Sequence, residues 1–122
     1  MHDNSKSAVE RRRAQRLETL RAELDRMLAL VKQHPGVRQV ILFGSLARGE
    51  VRSRSDLDVI IVQETAKRFM DRLDEFYRLL KPAVATDILV YTPAEWATLG
   101  AARPFLARAR RDGKVLYDFK AA

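Results

Sequence analysis

Apolar residues recur every three or four positions along the first quarter of the chain, the spacing of one buried stripe on a helix. The stripe is made of Leu17, Leu20, Leu24, Met27 or Leu28, and Val31. The run His34-Pro35-Gly36 follows it, and this run ends a helix because proline cannot continue one and glycine readily adopts the left-handed conformation beyond the last turn. The pattern therefore predicts a long N-terminal helix within residues 1–34.

Three short apolar runs predict strands, because each is rich in β-branched residues and too short for a helix. They span residues 37–43, 57–62 and 84–91, and a fourth, shorter strand is predicted over 114–119. The run over 57–62 is almost wholly apolar, which is typical of a strand covered on both faces. We therefore expect a small mixed sheet of three or four strands, flanked by helices.

Two further helical regions are predicted around the third strand. Residues 65–80 carry apolar side chains at helical spacing, and Thr92-Pro93-Ala94-Glu95 is a capping box with proline at the first helical position. The helix that begins there is expected to pause near Gly100 and Pro104. The order of elements predicts one α+β domain over residues 1–122, in which 37–91 forms the core and 92–122 adds a helical segment and a short strand.

Composition excludes several classes of protein. The chain has 122 residues, enough for one domain but not two, and its 47% of hydrophobic residues excludes a disordered tail. It has no cysteine, which excludes disulfides, thiol catalysis and thiolate metal sites. There is no run of 18 apolar residues and no signal-peptide core, so we expect a cytoplasmic protein with no membrane association.

The charge is strongly positive and indicates an anionic partner. Lysine and arginine number 23 against 16 acidic residues, which gives a net charge of +7, and 17 of the 23 cations are arginine. Arginine is suited to bidentate contact with phosphate. Net charge alone does not identify the partner, because it describes solubility and the attraction of acidic molecules in general.

The first candidate for a functional site lies between the first two predicted strands. Gly44 allows the backbone to approach a ligand closely where the strand ends, and Ser45 can start a short helix with a free hydroxyl and free N–H groups. Such a turn suits phosphate oxygens. A Gly-Ser pair alone is more often only a strand–helix joint.

Three acidic residues favour the phosphate-binding interpretation over a simple strand–helix joint. Asp56 and Asp58 lie two residues apart at the start of the second strand, so both carboxylates are expected on one face, and Asp87 is a lone acid in the third apolar strand. Two carboxylates about 5 Å apart repel by about 3 kcal/mol at an effective dielectric of about 20. A raised pKa, nearby cations or a bound metal must compensate. If the strands are adjacent, three oxygen ligands converge, and they suit Mg²⁺ or Mn²⁺ beside a phosphate-binding turn.

These residues together resemble a known signature. The run Gly44-Ser45-Leu46-Ala47-Arg48-Gly49, followed after five residues by Ser55-Asp56-Leu57-Asp58, is similar to that of minimal nucleotidyltransferases of the polymerase-beta-like superfamily. Asp87 in a later hydrophobic strand fits the same pattern. The resemblance covers about residues 37–91, and it implies the nucleotidyltransferase fold.

The resemblance also implies a role for each site residue. Asp56 and Asp58 would hold two Mg²⁺ ions that bridge the phosphates of ATP, with Mn²⁺ as a possible substitute. Asp87 would share one ion and help to deprotonate an acceptor hydroxyl. Gly44 and Ser45 would bind the terminal phosphates. Arg48 is a further candidate for nucleotide binding, although pairing with Glu50 or Asp56 is an open alternative.

Three acceptors or modes of action are compatible with the resemblance. Small stand-alone members resemble antitoxins of HEPN-domain ribonucleases, which implies a protein adenylyltransferase that adds AMP to a tyrosine of a toxin. One alternative is transfer to a small molecule such as an aminoglycoside, although the chain has no room for the additional domain that holds such acceptors. The other alternative is a binding module that neutralises its partner by contact alone.

The distribution of charge favours a nucleotide over nucleic acid. In the sequence Arg38, Arg48, Arg52 and Arg54 flank the acidic residues, where a triphosphate is expected to dock. No basic stripe with interleaved aromatic residues is present, as a base-stacking surface would need. Nucleic acid stays possible as an acceptor but is not favoured, and the remaining cations are expected to meet an acidic protein partner.

Overall fold

A computed structural model describes residues 7–121 of the chain. Residues 1–6 of the predicted N-terminal helix, and Ala122 at the end of the predicted domain, lie outside the described residues. The elements in chain order are α1 (Ala8–Val31), β1 (Val37–Phe43), α2 (Gly44–Ala47), β2 (Leu57–Gln63), α3 (Phe69–Leu80), β3 (Thr86–Tyr91), α4 (Pro93–Ala102), α5 (Pro104–Asp112), β4 (Lys114–Asp118) and a final 3₁₀ turn (Phe119–Ala121).

The four strands form one mixed sheet in the order β3-β2-β1-β4. Strand β1 is antiparallel to both β2 and β4, whereas β2 and β3 are parallel. The predicted α+β class, the small mixed sheet and the long N-terminal helix are therefore confirmed. No helix within residues 7–121 combines the length and the apolar character needed to cross a bilayer.

The sheet separates two apolar layers, because successive side chains of a strand point to opposite faces. On one face α1 and α3 pack through Leu20, Leu24 and Phe76. On the other face α4 and α5 pack through Trp96 and Leu106. The central strand β2 contributes to both layers and is buried on both faces, as its continuous apolar run predicted.

Several helix and strand boundaries in the structure differ from the predicted ones. Helix α1 ends at Val31 instead of residue 34, and α3 begins at Phe69 because residues 65–68 form a loop in which the Thr65 hydroxyl accepts a hydrogen bond from the backbone N–H of Lys67. Strand β3 begins two residues later than predicted, at Thr86. The capping box at Thr92 and the interruption before Pro104 are as predicted.

An ion pair between the buried Glu23 and the exposed Arg26 attaches α1 to the connection between α3 and β3. Glu23 is only 7% exposed, and Arg26 donates to both of its carboxylate oxygens, from Nε at 2.7 Å and Nη2 at 2.8 Å. The backbone N–H of Ala83 donates to the same carboxylate, and Arg26 also donates to the carbonyl of Leu80. The hydrogen bonds from Arg26 lower the pKa of Glu23 to about 2, although burial opposes the shift.

Replacing Glu23 by Gln is expected to lower the free energy of unfolding at pH 7 by about 2 kcal/mol. A carboxyl group with a lowered folded-state pKa stabilises the fold above its unfolded pKa of about 4.5, and this contribution is lost as the pH falls towards 2. Urea unfolding should therefore show a gap between wild type and variant that shrinks by at least half at pH 3. Glu18→Gln, at an exposed position of the same helix, is the matched control, and an equal loss there would contradict this account.

Candidate active site

Three chain segments meet at one end of the sheet. Gly44 follows β1 and begins α2, Asp58 is the second residue of β2, and Asp87 is the second residue of β3. In the strand register Asp58 lies opposite Phe43 on one side and opposite Asp87 on the other. The parallel pairing of β2 and β3 therefore places two carboxylates side by side. Asp58 alternates with Ile60 of the α4 and α5 layer, so it faces that side of the sheet.

The surroundings of Asp58 disfavour its ionised form. Burial raises the pKa of Asp58 to about 6, and the charge and close contact of Asp87 add to the rise. Asp56 contributes a smaller repulsion, while the positive charge of Arg48 acts in the opposite direction. Ionisation of Asp58 in the folded chain therefore costs free energy, which is typical of a site that binds a cation.

Gly44 gives Asp58 the space that it occupies. The backbone of Gly44 has φ +77°, a left-handed conformation that side chains disfavour, and a Cβ atom there would overlap the Asp58 carboxylate. Gly49, at the end of the same turn, has a similar φ of +71°, but a Cβ atom there would meet nothing within 4 Å. The two glycines therefore share a backbone conformation and differ in their contact with the acidic pair.

This difference yields a matched test. Gly44→Ala and Gly49→Ala are each expected to cost about 1–2 kcal/mol of stability through the left-handed backbone. Only Gly44→Ala displaces Asp58, so only this variant is expected to lose the nucleotidyl transfer that the sequence resemblance implies, by about a hundredfold, since small displacements of reacting groups have effects of that size. Transfer rates and melting curves for both variants check the result. Equal losses of activity would show that backbone strain alone is responsible.

Asp56 does not join the pair. It precedes the first register pair of β2, so no neighbouring strand holds it, and its side chain is 49% exposed. Its Oδ1 lies 3.9 Å from Nη2 of Arg16, which also donates from Nε to the carbonyl of Ser55 at 2.8 Å. Within residues 7–121 no three His, Cys, Asp or Glu side chains are close enough together to hold a metal ion. The structure thus brings two of the three expected carboxylates side by side, while Asp56 lies near Arg16 of α1.

The donor set nevertheless fits a hard divalent cation. Asp58 and Asp87 offer only carboxylate oxygens, which Mg²⁺ and Mn²⁺ prefer, and a cation relieves the repulsion that raises the pKa of Asp58. Asp56 is exposed, and its contact with Arg16 is long, so it is free to turn towards the same ion. Magnesium commonly uses one or two protein carboxylates together with water and substrate phosphates.

Ser45 and Arg48 lie in and after the short helix α2. Ser45 is half-buried, and its carbonyl accepts a hydrogen bond from the N–H of Glu50 at 2.8 Å. The Arg48 side chain is exposed, and its Nε lies 3.3 Å from Oε1 of Glu50. Of the two alternatives that the sequence left open, the structure contains the pairing with Glu50. An exposed pair of this kind contributes little and exchanges readily with a stronger anion.

One predicted flanking cation lies elsewhere. Arg38 is the second residue of β1, at the end of the strand remote from Phe43, so most of the length of β1 separates it from Asp58. There it donates to Glu64 at 2.7 Å and stacks over the ring of Phe119 at 5.2 Å. The sequence proximity of Arg38 was misleading because β1 runs towards the site. Arg52 and Arg54 are exposed in the loop before β2.

A cleft of about 650 Å³ opens beside the acidic pair. One wall carries Gly44, Arg48, Asp58 and Asp87, and the opposite wall is formed by α5. Sequence reasoning did not identify the α5 contribution. Phe105 is 55% exposed in the cleft, and its ring meets that of Phe43 edge-on at 5.6 Å. Its position as the lone aromatic residue among the arginines that follow Pro104 was the signal available.

The sequence profile of the family described as polymerase beta, nucleotidyltransferase matches residues 26–121. The chain belongs to this nucleotidyltransferase family. The comparison with curated proteins returned no significant match.

Three solved structures share the fold. A protein from Sulfolobus solfataricus assigned to the nucleotidyltransferases superposes with a TM-score of 0.66 and 17% identity, over 97% of this chain and 95% of that chain. A toxin–antitoxin structure with AMP-PNP has a TM-score of 0.51 and 16% identity, over 82% and 74%. A mutant form of the toxin–antitoxin MntA–HpeT, in which alanine replaces a tyrosine, has a TM-score of 0.51 and 20% identity, over 83% and 74%. At these identities the likeness shows the fold.

Proposed function

We propose that the chain is a Mg²⁺-dependent nucleotidyltransferase that transfers AMP from ATP to a hydroxyl group. The observation that carries the proposal is the pair Asp58 and Asp87, placed side by side at the wall of a cleft large enough for a nucleotide. A structural pair of acids would be expected to have cationic partners. Here burial and mutual repulsion instead raise the pKa of Asp58 to about 6.

The residues that would hold the metal are Asp58 and Asp87, with Asp56 after it leaves Arg16. Family resemblance implies two Mg²⁺ ions, for which Mn²⁺ can substitute. When bound, the metal supplies charge neutralisation and activates the phosphate for attack.

The protein residues bind and orient the substrates. Gly44 and Ser45 would bind the terminal phosphates, and Arg48 would exchange Glu50 for a phosphate oxygen. The acceptor oxygen forms a bond to the α-phosphorus while the bond from that phosphorus to the bridging oxygen breaks, and pyrophosphate leaves. The proton of the acceptor hydroxyl passes to Asp87. The apolar α5 wall around Phe105 offers a surface for the base.

The acceptor that we propose is a tyrosine of a partner HEPN ribonuclease toxin, so that the chain acts as its antitoxin in the cytoplasm. Two similar structures are toxin–antitoxin assemblies, and one of them is described with AMP-PNP. The two structures support the proposal through their fold. The proposed transfer to tyrosine rests on the resemblance of the sequence motifs. The nucleotide and the incoming side chain would meet in the cleft of about 650 Å³ beside Asp87.

A labelling experiment tests the proposal. The purified chain is incubated with Mg²⁺, a candidate HEPN-domain partner, and ATP labelled on either the α- or the γ-phosphate. Transfer of the α-label alone, abolished by EDTA, is the expected result. Transfer of the γ-label would indicate a kinase. Neutralisation of the partner without any label would indicate that contact alone is the mechanism.

A further inference from the structure

The hydroxyl of Tyr77 makes hydrogen bonds on both sides of Asp87. It donates to the carbonyl oxygen of Thr86 at 2.7 Å and accepts from the backbone N–H of Ile88 at 3.1 Å. Thr86 and Ile88 are the chain neighbours of Asp87. One side chain from α3 therefore holds the backbone of β3 immediately before and immediately after this carboxylate.

These bonds occur at a weak point of the sheet. Strand β3 pairs with β2 on one side, and in the part of the chain that the structure describes no strand lies on its other side. The outward N–H and C=O groups of an edge strand lack sheet partners. The peptide groups of Thr86 and Ile88 would be among these, and Tyr77 supplies both a donor and an acceptor to them.

Tyr77 is not an ordinary core residue. It is 37% exposed and lines the same cleft as Asp58 and Asp87, one turn after Leu73 of α3. Apolar packing therefore explains its position only in part. Both hydrogen bonds of its hydroxyl are made with the segment that carries Asp87.

We propose that Tyr77 is a positioning residue for Asp87. By fixing the edge of β3, its hydroxyl fixes the direction of the Asp87 carboxylate beside Asp58, so that the two act together on a divalent cation and Asp87 is aligned with the acceptor hydroxyl. This inference rests on the proposed function. Groups that orient a metal-binding side chain without touching the ion typically influence affinity or activity by about 10- to 100-fold.

Tyr77→Phe tests the inference because it keeps the ring and removes only the hydroxyl. The affinity for Mn²⁺ without nucleotide, measured by electron paramagnetic resonance, should fall about tenfold. The turnover number kcat for AMP transfer should also fall about tenfold, while KM for ATP stays within about twofold because Gly44 and Ser45 are unchanged. Amide exchange at Ile88, measured by NMR, should accelerate.

Tyr91→Phe is the matched control. Tyr91 lies on the same strand, and among residues 7–121 its hydroxyl has no hydrogen-bond partner. This variant should leave Mn²⁺ affinity, kcat and exchange at Ile88 unchanged. Melting curves of all three proteins ensure that each is folded at the assay temperature.

The outcomes separate the inference from the proposed function. Faster exchange at Ile88 in Tyr77→Phe, with unchanged Mn²⁺ affinity and kcat, would overturn the positioning role and leave the proposed function standing. A wild-type chain that neither binds Mn²⁺ nor transfers AMP would overturn the proposed function, and the positioning role with it. A joint loss in Tyr77→Phe and in Tyr91→Phe would also overturn the inference.

Discussion

Replacing Asp58 by Asn is expected to reduce nucleotidyl transfer on the order of a thousandfold or more without lowering stability. Asparagine keeps the shape of the side chain but loses the negative charge that would bind the metal. In metal-free buffer at about pH 7.5 the free energy of unfolding should rise by about 1 kcal/mol, because the folded chain no longer holds an ionised Asp58 against Asp87. The figure is discounted for the partial exposure of the side chain.

The direction of the pH dependence follows from the raised pKa of Asp58. A carboxyl group whose folded-state pKa is about 6, against an ordinary 3.8, favours the folded state while it is protonated. This contribution to the free energy of unfolding is complete below about pH 4 and is lost as the pH rises through 6. The stability of the wild type should therefore fall relative to Asp58→Asn between about pH 4 and about pH 6.

Asp25→Asn, on the exposed side of α1, makes the same chemical change away from the cleft and is the control. It should retain full transfer. Metal-dependent transfer in Asp58→Asn at more than about a tenth of the wild-type rate would contradict the metal-binding role of Asp58. A marked loss of stability in that variant would contradict the repulsion argument.

Replacing Arg72 by Leu is expected to lower the free energy of unfolding by about 3 kcal/mol, because it breaks a buried ion pair. Arg72 is only 6% exposed and donates from Nε to the carbonyl of Lys67 at 2.8 Å and from Nη1 to Oε1 of Glu95 at 2.7 Å. Glu95 also accepts from the N–H of Thr92 in the capping box of α4. The substitution leaves these acceptors without their donor, although Glu95 is partly exposed to water.

Thermal and urea unfolding check this prediction, with a fall in Tm of about 10 °C for a domain of this size. Arg78→Leu, which removes an exposed arginine paired with Asp74 on the same helix, should cost less than about 1 kcal/mol. Transfer per folded molecule at low temperature should be unchanged in Arg72→Leu, because Arg72 acts on the end of β3 remote from Asp87. A variant as stable as wild type would show that the ion pair contributes nothing.

Local sequence patterns predicted most of the architecture. The period of the apolar residues distinguished α1 from β1 and β2, and the capping box at Thr92 marked where α4 begins. The approximate position of the site was also predictable, because Gly44, Asp58 and Asp87 stand at strand ends. These signals are local, so they do not depend on how the elements pack.

The features that were missed all depend on long-range contacts. Arg16 lies 39 residues before Ser55, and no periodic pattern indicates that α1 would hold the loop next to Asp56. Arg38 was misplaced because sequence proximity does not give the direction of β1. The two hydrogen bonds of Tyr77 required the packing of α3 against the free edge of β3.

Intact-mass and peptide mass spectrometry of a candidate HEPN-domain partner, after co-expression with this chain, decides whether the chain modifies that partner. The partner's mass is expected to increase by one AMP group, located on a tyrosine, and co-expression with Asp58→Asn is expected to give no increase. A partner that is neutralised while its mass is unchanged, or one that is modified equally by wild type and Asp58→Asn, would contradict the proposed transfer.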